Sequence, residues 1–424
     1  MFDTGSTAFM LVSAMLVFLM TPGLAFFYGG LSRRKNVVNT MIMVFAALGV
    51  AGVVWVVAGW SLAYGGDGAN PFLGGFDQLG LQGLVEGMVA ESSAALSHGS
   101  YPVLADVAFQ AAFAMITTAI ITGAVAGRMK FGALLAFIAL WVPVVYAPLA
   151  HMVWGGENSL IGGMIGALDF AGGDVVHISS GLTGLILCVL LGKRRGFGMM
   201  TYRPHNVPFV VLGASLLWFG WFGFNAGSAF AADGVAALAL VNTVAASAAA
   251  LVSWMIVERV KVGKPTLVGA ATGLVAGLVV ITPAAGFVAP GAAVIMGFIV
   301  SPVCYFAISG LKVRLGYDDA LDAFGCHAVG GVVGGVLTGV FCLPELSWTG
   351  VGGLLYTGDA SLLVSQILGM VVTIVFVGVA SLVIGLVVKV VFKRSLRVSE
   401  AQEAQGLDVA AHGESAYPAY TGLD

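Results

Sequence analysis

The sequence predicts an all-α integral membrane protein of eleven transmembrane helices, arranged as an inverted 5+5 repeat plus a final helix. Three observations predict it. Apolar residues make up 59% of the 424-residue chain and charged residues 9%, with a mean hydropathy of +1.00, whereas a soluble domain carries about 25% charged residues. The apolar runs are continuous over about 20 residues, the length of a helix crossing a bilayer, and lack the short alternating segments of barrel strands. The basic residues fall only in every second break between those runs. The 61 glycines fit the same class, because small residues let helix backbones approach one another in lipid.

The first span, 6–29, begins within ten residues of the N-terminus, and no Lys or Arg precedes Arg33. A cleaved signal peptide needs a basic leader, so this segment is expected to be a retained first helix. Arg33 to Lys35 separate it from the second span, 37–63, and a long loop then carries Asp67, Asp77, Glu86 and Glu91. Arg128 and Lys130 divide the third span, 102–127, from the fourth, 131–151; Glu157 follows, and the fifth, 174–192, ends in a basic stretch at 193–203. The sixth and seventh, 206–229 and 234–257, lead to basic residues at 259–264, and the eighth and ninth, 266–284 and 288–309, to Lys312 and Arg314. The tenth, 322–342, precedes a loop with Glu345 and Asp359, and the eleventh, 361–392, ends among basic residues at 389–397.

All 18 Lys and Arg residues therefore share one side of the membrane. The positive-inside rule makes that side cytoplasmic, with the N-terminus outside and the C-terminus inside. Residues 1–394 form the transmembrane domain and 395–424 a cytoplasmic tail whose polar composition reads as solvated and regulatory. The opposite face carries acidic residues and no basic ones. Such a surface concentrates cations and repels anions; it also serves simply to keep loops solvated and oriented.

Asp169 and His177 are separated by eight residues, as are Asp319 and His327, and Gly181 and Gly184 follow the first His at the offsets of Gly331 and Gly334 from the second. These segments are spans 5 and 10, and an offset of five spans reverses orientation. An inverted repeat of this kind places a substrate path at the repeat interface.

Of six histidines, only His177 and His327 lie well inside spans. An ionisable group at that depth is costly and points to an interior cavity with a partner. A neutral imidazole pair shares one hydrogen bond and leaves one donor and one acceptor for a small polar solute; a structural pair in the core is the plainer reading. His98, His205 and His412 read as loop residues and His151 as a helix end, with no role assigned. Aromatic residues cluster in the run from Trp221 to Ser228 and in His151-Met-Val-Trp154. Ring faces attract cations and a hydroxyl such as Ser228 accepts from an N–H donor; an interfacial tryptophan belt explains the same cluster. Cys188, Cys304, Cys326 and Cys342 lie in apolar runs without CxxC spacing, as buried thiols do.

Several long motifs together resemble those of the ammonium transporter (Amt/methylammonium permease/Rhesus) family, of the bacterial or archaeal Amt type. They are Thr21-Pro-Gly-Leu-Ala-Phe-Phe-Tyr-Gly-Gly30, Asp169-Phe-Ala-Gly-Gly-Asp-Val-Val-His177 with Gly192-Lys-Arg194, Trp221 to Ser228, Ile281-Thr-Pro-Ala-Ala-Gly286, and Asp318-Asp-Ala-Leu-Asp-Ala-Phe-Gly-Cys-His327. The resemblance covers essentially the whole chain. It implies an external ammonium site of Trp154, Phe113 and Ser228, with Trp221 nearby. Phe113 and Phe224 would stack as a gate, His177 and His327 would line a hydrophobic pore with Thr282 beside it, and Asp169 would shape the outer vestibule and favour cation entry. Asp169 also has the plainer role of capping span 5.

The resemblance further implies a homotrimer in the plasma (inner) membrane, no cofactor, ammonium or ammonia as substrate with methylammonium as analogue, and a cytoplasmic PII signal protein as partner. Ala126-Gly127-Arg128 departs from the Ala-Glu-Arg frequent in the family, which touches the cytoplasmic face and leaves the pore unchanged. Potassium matches ammonium in charge and nearly in size but lacks N–H donors and a removable proton. An apolar constriction that makes the charged form expensive favours deprotonation, so ammonia passes and potassium is excluded. Net electrogenic uptake is the favoured outcome; a passive ammonia channel and an ammonium sensor remain alternatives. Two remoter readings rest on residues alone: a haem held by the two histidines, and a prenyltransferase built on the DDxxD string Asp318 to Asp322.

Overall fold

The computed structural model describes residues 2–85, 100–199 and 202–417. Glu86, Glu91 and His98 lie outside the described residues. Among the described residues, eleven helices are long and apolar enough to cross a membrane: α1 Thr4–Leu31, α2 Arg34–Tyr64, α3 Val103–Val125, α4 Phe131–Trp154, α5 Gly173–Leu191, α6 Val207–Gly227, α7 Gly234–Lys261, α8 Leu267–Ala284, α9 Pro290–Leu315, α10 Phe324–Phe341 and α11 Ser361–Val391. Among the described residues there is no strand, only the isolated bridges Met129 to Arg397 and Val288 to Cys342. The number of spans matches the hydropathy reading. Helices α7 and α9 run beyond their apolar stretches to include Arg259, Lys261, Lys312 and Arg314, because long basic side chains at helix ends keep their heads in water.

The starts follow from local chemistry. Asp3 accepts from Ser6 N at 2.6 Å, Asn206 from Phe209 N at 3.0 Å, Asp233 from Ala236 N at 2.9 Å and Thr266 from Gly269 N at 2.9 Å. Each is a polar N-cap satisfying one of the otherwise orphaned first-turn donors.

Packing repeats between the halves. Helix α1 lies along α6, and the contacts of α1 with α3, α2 with α3 and α4, and α3 with α5 are matched by those of α6 with α8, α7 with α8 and α9, and α8 with α10. The small-residue offsets after the histidines show why. A Cβ on Gly181 would sit 2.5 Å from Ala328 N, and one on Gly331 would sit 3.0 Å from Ile178 Cγ1, so each glycine meets the residue just after the opposite histidine. Helix α11 then packs against α4, α5 and α10 from outside the repeat; Trp141 Nε1 on α4 donates to Thr183 on α5 (3.1 Å) and Ser381 on α11 (3.0 Å).

Both histidines sit in a π turn, Gly173–Ile178 and Phe324–Ala328. Such turns are uncommon and concentrate where function demands a displaced side chain. Each turn is preceded by a capping aspartate: Asp169 accepts from the N–H groups of residues 172–175, and Asp319 from Ala323 N (3.1 Å) and Phe324 N (2.8 Å). The equal Asp-to-His spacing in the two halves is thus one local structure built twice.

The tail is docked, which differs from the solvated tail expected from composition. Its helices α12, Glu400–Gln405, and α13, Leu407–His412, lie on the start of α2. Leu407, Asp408 and Glu403 are buried, and Lys35 Nζ donates to Ala404 O. His412, read as a loop residue, closes α13 and meets Asn39 Nδ2 at 3.0 Å.

Candidate functional site

A cavity of about 750 Å³ opens between the ends of α3, α4, α5 and α6. Its walls include Phe113, Trp154, Asp169 and Ser228, four of the residues that sequence assigns to the outer site, together with Glu157 and Asp233. Three carboxyl groups and no Lys or Arg line it, so its potential favours cations.

Two donors of this vestibule are already committed. Trp154 Nε1 donates to Asp169 O at 2.8 Å, and the hydroxyl of Ser228 donates to Phe224 O at 2.9 Å. The Ser228 oxygen therefore presents only lone pairs to the cavity, the complement of a solute rich in N–H donors. Asp169 accepts from Gly172 N (2.7 Å), Gly173 N (2.6 Å), Asp174 N (2.8 Å) and Val175 N (3.4 Å). Burial pushes its carboxyl above the usual carboxylate range, while these N–H bonds act in the opposite direction. Asp169 is thus both the cap of α5 and the support of Trp154.

Below the vestibule Phe113 and Phe224 stack with centroids 4.0 Å apart and planes 12° apart. Both are buried. Beneath them the ring of His177 lies 6.1 Å from that of Phe224 and 5.4 Å from that of His327. Trp221 is not a vestibule wall. It stacks on His177 at 5.4 Å and 22°, on the histidine side of Phe224, because its position on α6 is one turn further from the helix end than Phe224.

The hydrogen bonds fix the tautomers of the histidine pair. The single proton of Thr282 Oγ1 goes to Leu278 O at 2.8 Å. Its lone pairs then accept from Trp221 Nε1 (3.0 Å) and His177 Nε2 (3.3 Å), which makes His177 Nε2 a donor. In a neutral pair His177 Nδ1 is consequently the acceptor and His327 Nδ1 the donor across 3.3 Å. That leaves His327 Nε2 as an acceptor.

Other residues escaped the sequence reading. Phe170, Trp348, Gln110, Tyr64 and Phe230 also line the vestibule; Phe170 lies inside the Asp169 to His177 motif without being assigned a role, and the other four lie in no quoted motif. His151, with no role assigned, is buried with Nδ1 2.7 Å from Ala63 O and Nε2 2.6 Å from Asn70 O, tying α4 to the end of α2 and the loop beyond it.

The DDxxD string is committed to structure. Asp318 pairs with Arg194 at 2.6 Å and lies 4.0 Å from buried Arg128; Asp319 caps α10, and Asp322 meets Lys312 at 2.7 Å. Burial and the neighbouring Asp322 push Asp319 up to about 6. Gly127, at the departure from Ala-Glu-Arg, has φ +77° and an added Cβ would meet Asn36 Nδ2 at 2.8 Å, so the turn before Arg128 favours glycine on both counts.

The chain is similar to known proteins over nearly its whole length. A model of the Ammonium Transporter Family matches residues 8–417. The ammonium transporter of Bacillus subtilis (strain 168) is 48% identical, over 97% of this chain and 98% of its own. The crystal structure of Saccharomyces cerevisiae Mep2 superposes with a TM-score of 0.85 at 33% identity, covering 94% of this chain and 88% of that one. A structure described as a Sensor Amt Protein gives 0.84 at 28% identity, covering 96% and 98%.

Proposed function

The chain belongs to the ammonium transporter family, and from that premise we propose that it takes ammonium from the outer vestibule, removes its proton and passes ammonia along the histidine pair, with net electrogenic uptake. The observation that carries this reading is the order of the groups along one path: carboxyl groups and ring faces, then the hydroxyl acceptor of Ser228, then two stacked phenyl rings, then two imidazoles. Cation–π attraction and the Ser228 lone pairs suit an ion with N–H donors. Between Phe113 and Phe224 the same ion loses its hydration, and burying an unpaired charge is far costlier than burying a neutral amine. At the entrance to the stack the ion gives its proton to a vestibule water, ammonia moves on as a neutral solute donating to His327 Nε2, and the proton is relayed by water and the imidazole pair, each ring taking it up at one nitrogen and releasing it from the other, to rejoin ammonia inside.

Potassium offers neither a donor nor a proton to lose. In this reading Phe113 and Phe224 are the gate, Trp154, Phe113 and Ser228 the recruitment site, and Trp221 and Thr282 hold His177 in orientation. The domain of residues 1–394 forms a homotrimer in the plasma membrane with its N-terminus outside, and the tail from 395 onward is the cytoplasmic surface available to a PII signal protein. The likeness to a Sensor Amt Protein supports a second reading, in which ammonium is bound for signalling.

Proteoliposome electrophysiology separates these. A current after an ammonium jump, none after a potassium jump, and potassium leakage in His177→Ala are the expected results. Internal alkalinisation without current means passive ammonia conduction, and neither signal means sensing.

A further inference from the structure

The vestibule holds a second tryptophan that the outer site as described does not use. Trp348 lines the cavity and is 58% exposed. Its ring is stacked on Phe170 with centroids 5.9 Å apart and planes 28° apart, and meets the ring of Phe287 edge-on at 4.8 Å and 85°. Phe170 and Phe287 are buried and themselves form an edge contact at 5.3 Å. Trp348 is thus the water-facing member of a three-ring cluster whose inner members are fixed.

Its loop is fixed too. Leu343 N donates to Phe287 O (2.8 Å) and Gly353 N to Cys342 O (2.7 Å), closing the segment at its base. Phe170 approaches so closely that a Cβ on Gly286 would fall 2.1 Å from its ring, which gives the last glycine of the Ile281 to Gly286 motif a physical purpose. The two vestibule tryptophans hang from one dipeptide: Trp154 from the carbonyl of Asp169, Trp348 from the ring of Phe170.

We propose that Trp348, backed by Phe170, is an outer cation–π station for ammonium and small alkylammonium ions, occupied before the site at Trp154, Phe113 and Ser228. This rests on the transport reading above. One face of the indole is covered by Phe170, and the exposed remainder borders a cavity lined by Glu157, Asp169 and Asp233 without a basic residue. An aromatic face in such a field attracts a cation without reading its N–H groups. The station therefore raises the local concentration of monovalent organic cations, and selection against ions lacking donors follows at Ser228.

The test uses the full-length protein in proteoliposomes, with ammonium concentration dependence and inhibition by external tetramethylammonium, which has no N–H to donate. Trp348→Leu is expected to raise the half-saturating ammonium concentration about three-fold, the size of an exposed cation–π contact, to weaken tetramethylammonium inhibition about as much, and to leave the rate at saturating ammonium unchanged. Trp348→Phe falls between. Site-specific fluorinated tryptophans at 348, which keep the ring's shape and hence the fold, weaken binding stepwise with each fluorine. Unchanged half-saturation and inhibition in Trp348→Leu, or indifference to fluorination, overturn the station, since a tryptophan that only anchors at the interface moves neither. A wild-type protein with neither current nor ammonia conduction overturns the transport reading instead.

Discussion

His177 Nδ1 and His327 Nδ1 face each other at 3.3 Å, and Thr282 holds the far side of the His177 ring. The hydroxyl donates to Leu278 O, so it receives both Trp221 Nε1 and His177 Nε2. Thr282→Val keeps the shape and removes the acceptor, leaving two buried donors unmet at about 1–3 kcal/mol each. His177 then loses the contact that orients its ring against His327. Transport is expected to fall about ten-fold with the fold retained but its melting midpoint lowered, read as ammonium current per folded protein. An unaltered current means that orientation of His177 by Thr282 is unimportant.

The stacked phenyl pair lies between the vestibule and the ring of His177. Phe224→Leu removes one face of the 4.0 Å stack and, as a smaller apolar residue in a buried position, costs about 1–3 kcal/mol. Osmotic water permeability of proteoliposomes is expected to rise, because the stack and not the histidine pair excludes water from above. If water flux stays at the wild-type level, the barrier to water lies elsewhere.

How far this site is legible in sequence depends on which feature signals it. The Asp-to-His spacing is visible because Asp169 and Asp319 each cap the same π turn, and a repeated local structure leaves a repeated string. The placement of Trp221 is not visible: in lipid, an apolar side chain is acceptable facing either the bilayer or a neighbour, so hydrophobic pattern does not fix the buried face of α6. Trp348 is hidden for another reason, since its neighbours Phe170 and Phe287 come from separate segments brought together by the close approach at Gly286. Composition likewise misreads the tail, in which Asp408 is matched to backbone groups of α2 and Glu403 to Arg397, while Glu400, Gln402 and Gln405 stay exposed.

On the side carrying the basic residues, Asp318 sits between Arg194 and Arg128. Burial pushes its carboxyl up, but the hydrogen bonds and charge of Arg194, with Arg128, outweigh that and hold it below the usual range. A lowered folded pKa contributes stability that is present above the ordinary aspartate range and lost as pH falls through the folded value. Arg194→Gln is expected to cost about 3 kcal/mol near neutral pH, as breaking a buried pair does. The gap from wild type then narrows as the pH drops into the acid range where Asp318 protonates. Unfolding midpoints in detergent across that range check it; a gap independent of pH sinks the ion-pair account.

The tail and α2 exchange caps. Asn36, the residue before Val37, does not cap its own helix; its side-chain oxygen accepts from Leu407 N at 2.9 Å. In return the carboxyl of Asp408 accepts from Val37 N (3.0 Å) and Asn39 N (2.8 Å). These are two of the first-turn donors that a local cap would satisfy, and a negative group at a helix N-terminus is favoured besides. Lys35 and the pair of Arg397 with Glu403 (2.6 Å) add contacts on either side. Removing the carboxyl in Asp408→Ala leaves both N–H groups to find water, a loss of about 1–2 kcal/mol from tail docking. Cleavage by trypsin after Arg397, whose side chain is bonded to Glu403 in the docked state, should then accelerate about ten-fold, while Asp408→Asn, which keeps one acceptor oxygen, falls between. Equal cleavage rates in all three proteins mean that docking is held by Leu407 and the apolar contacts and owes nothing to the cap.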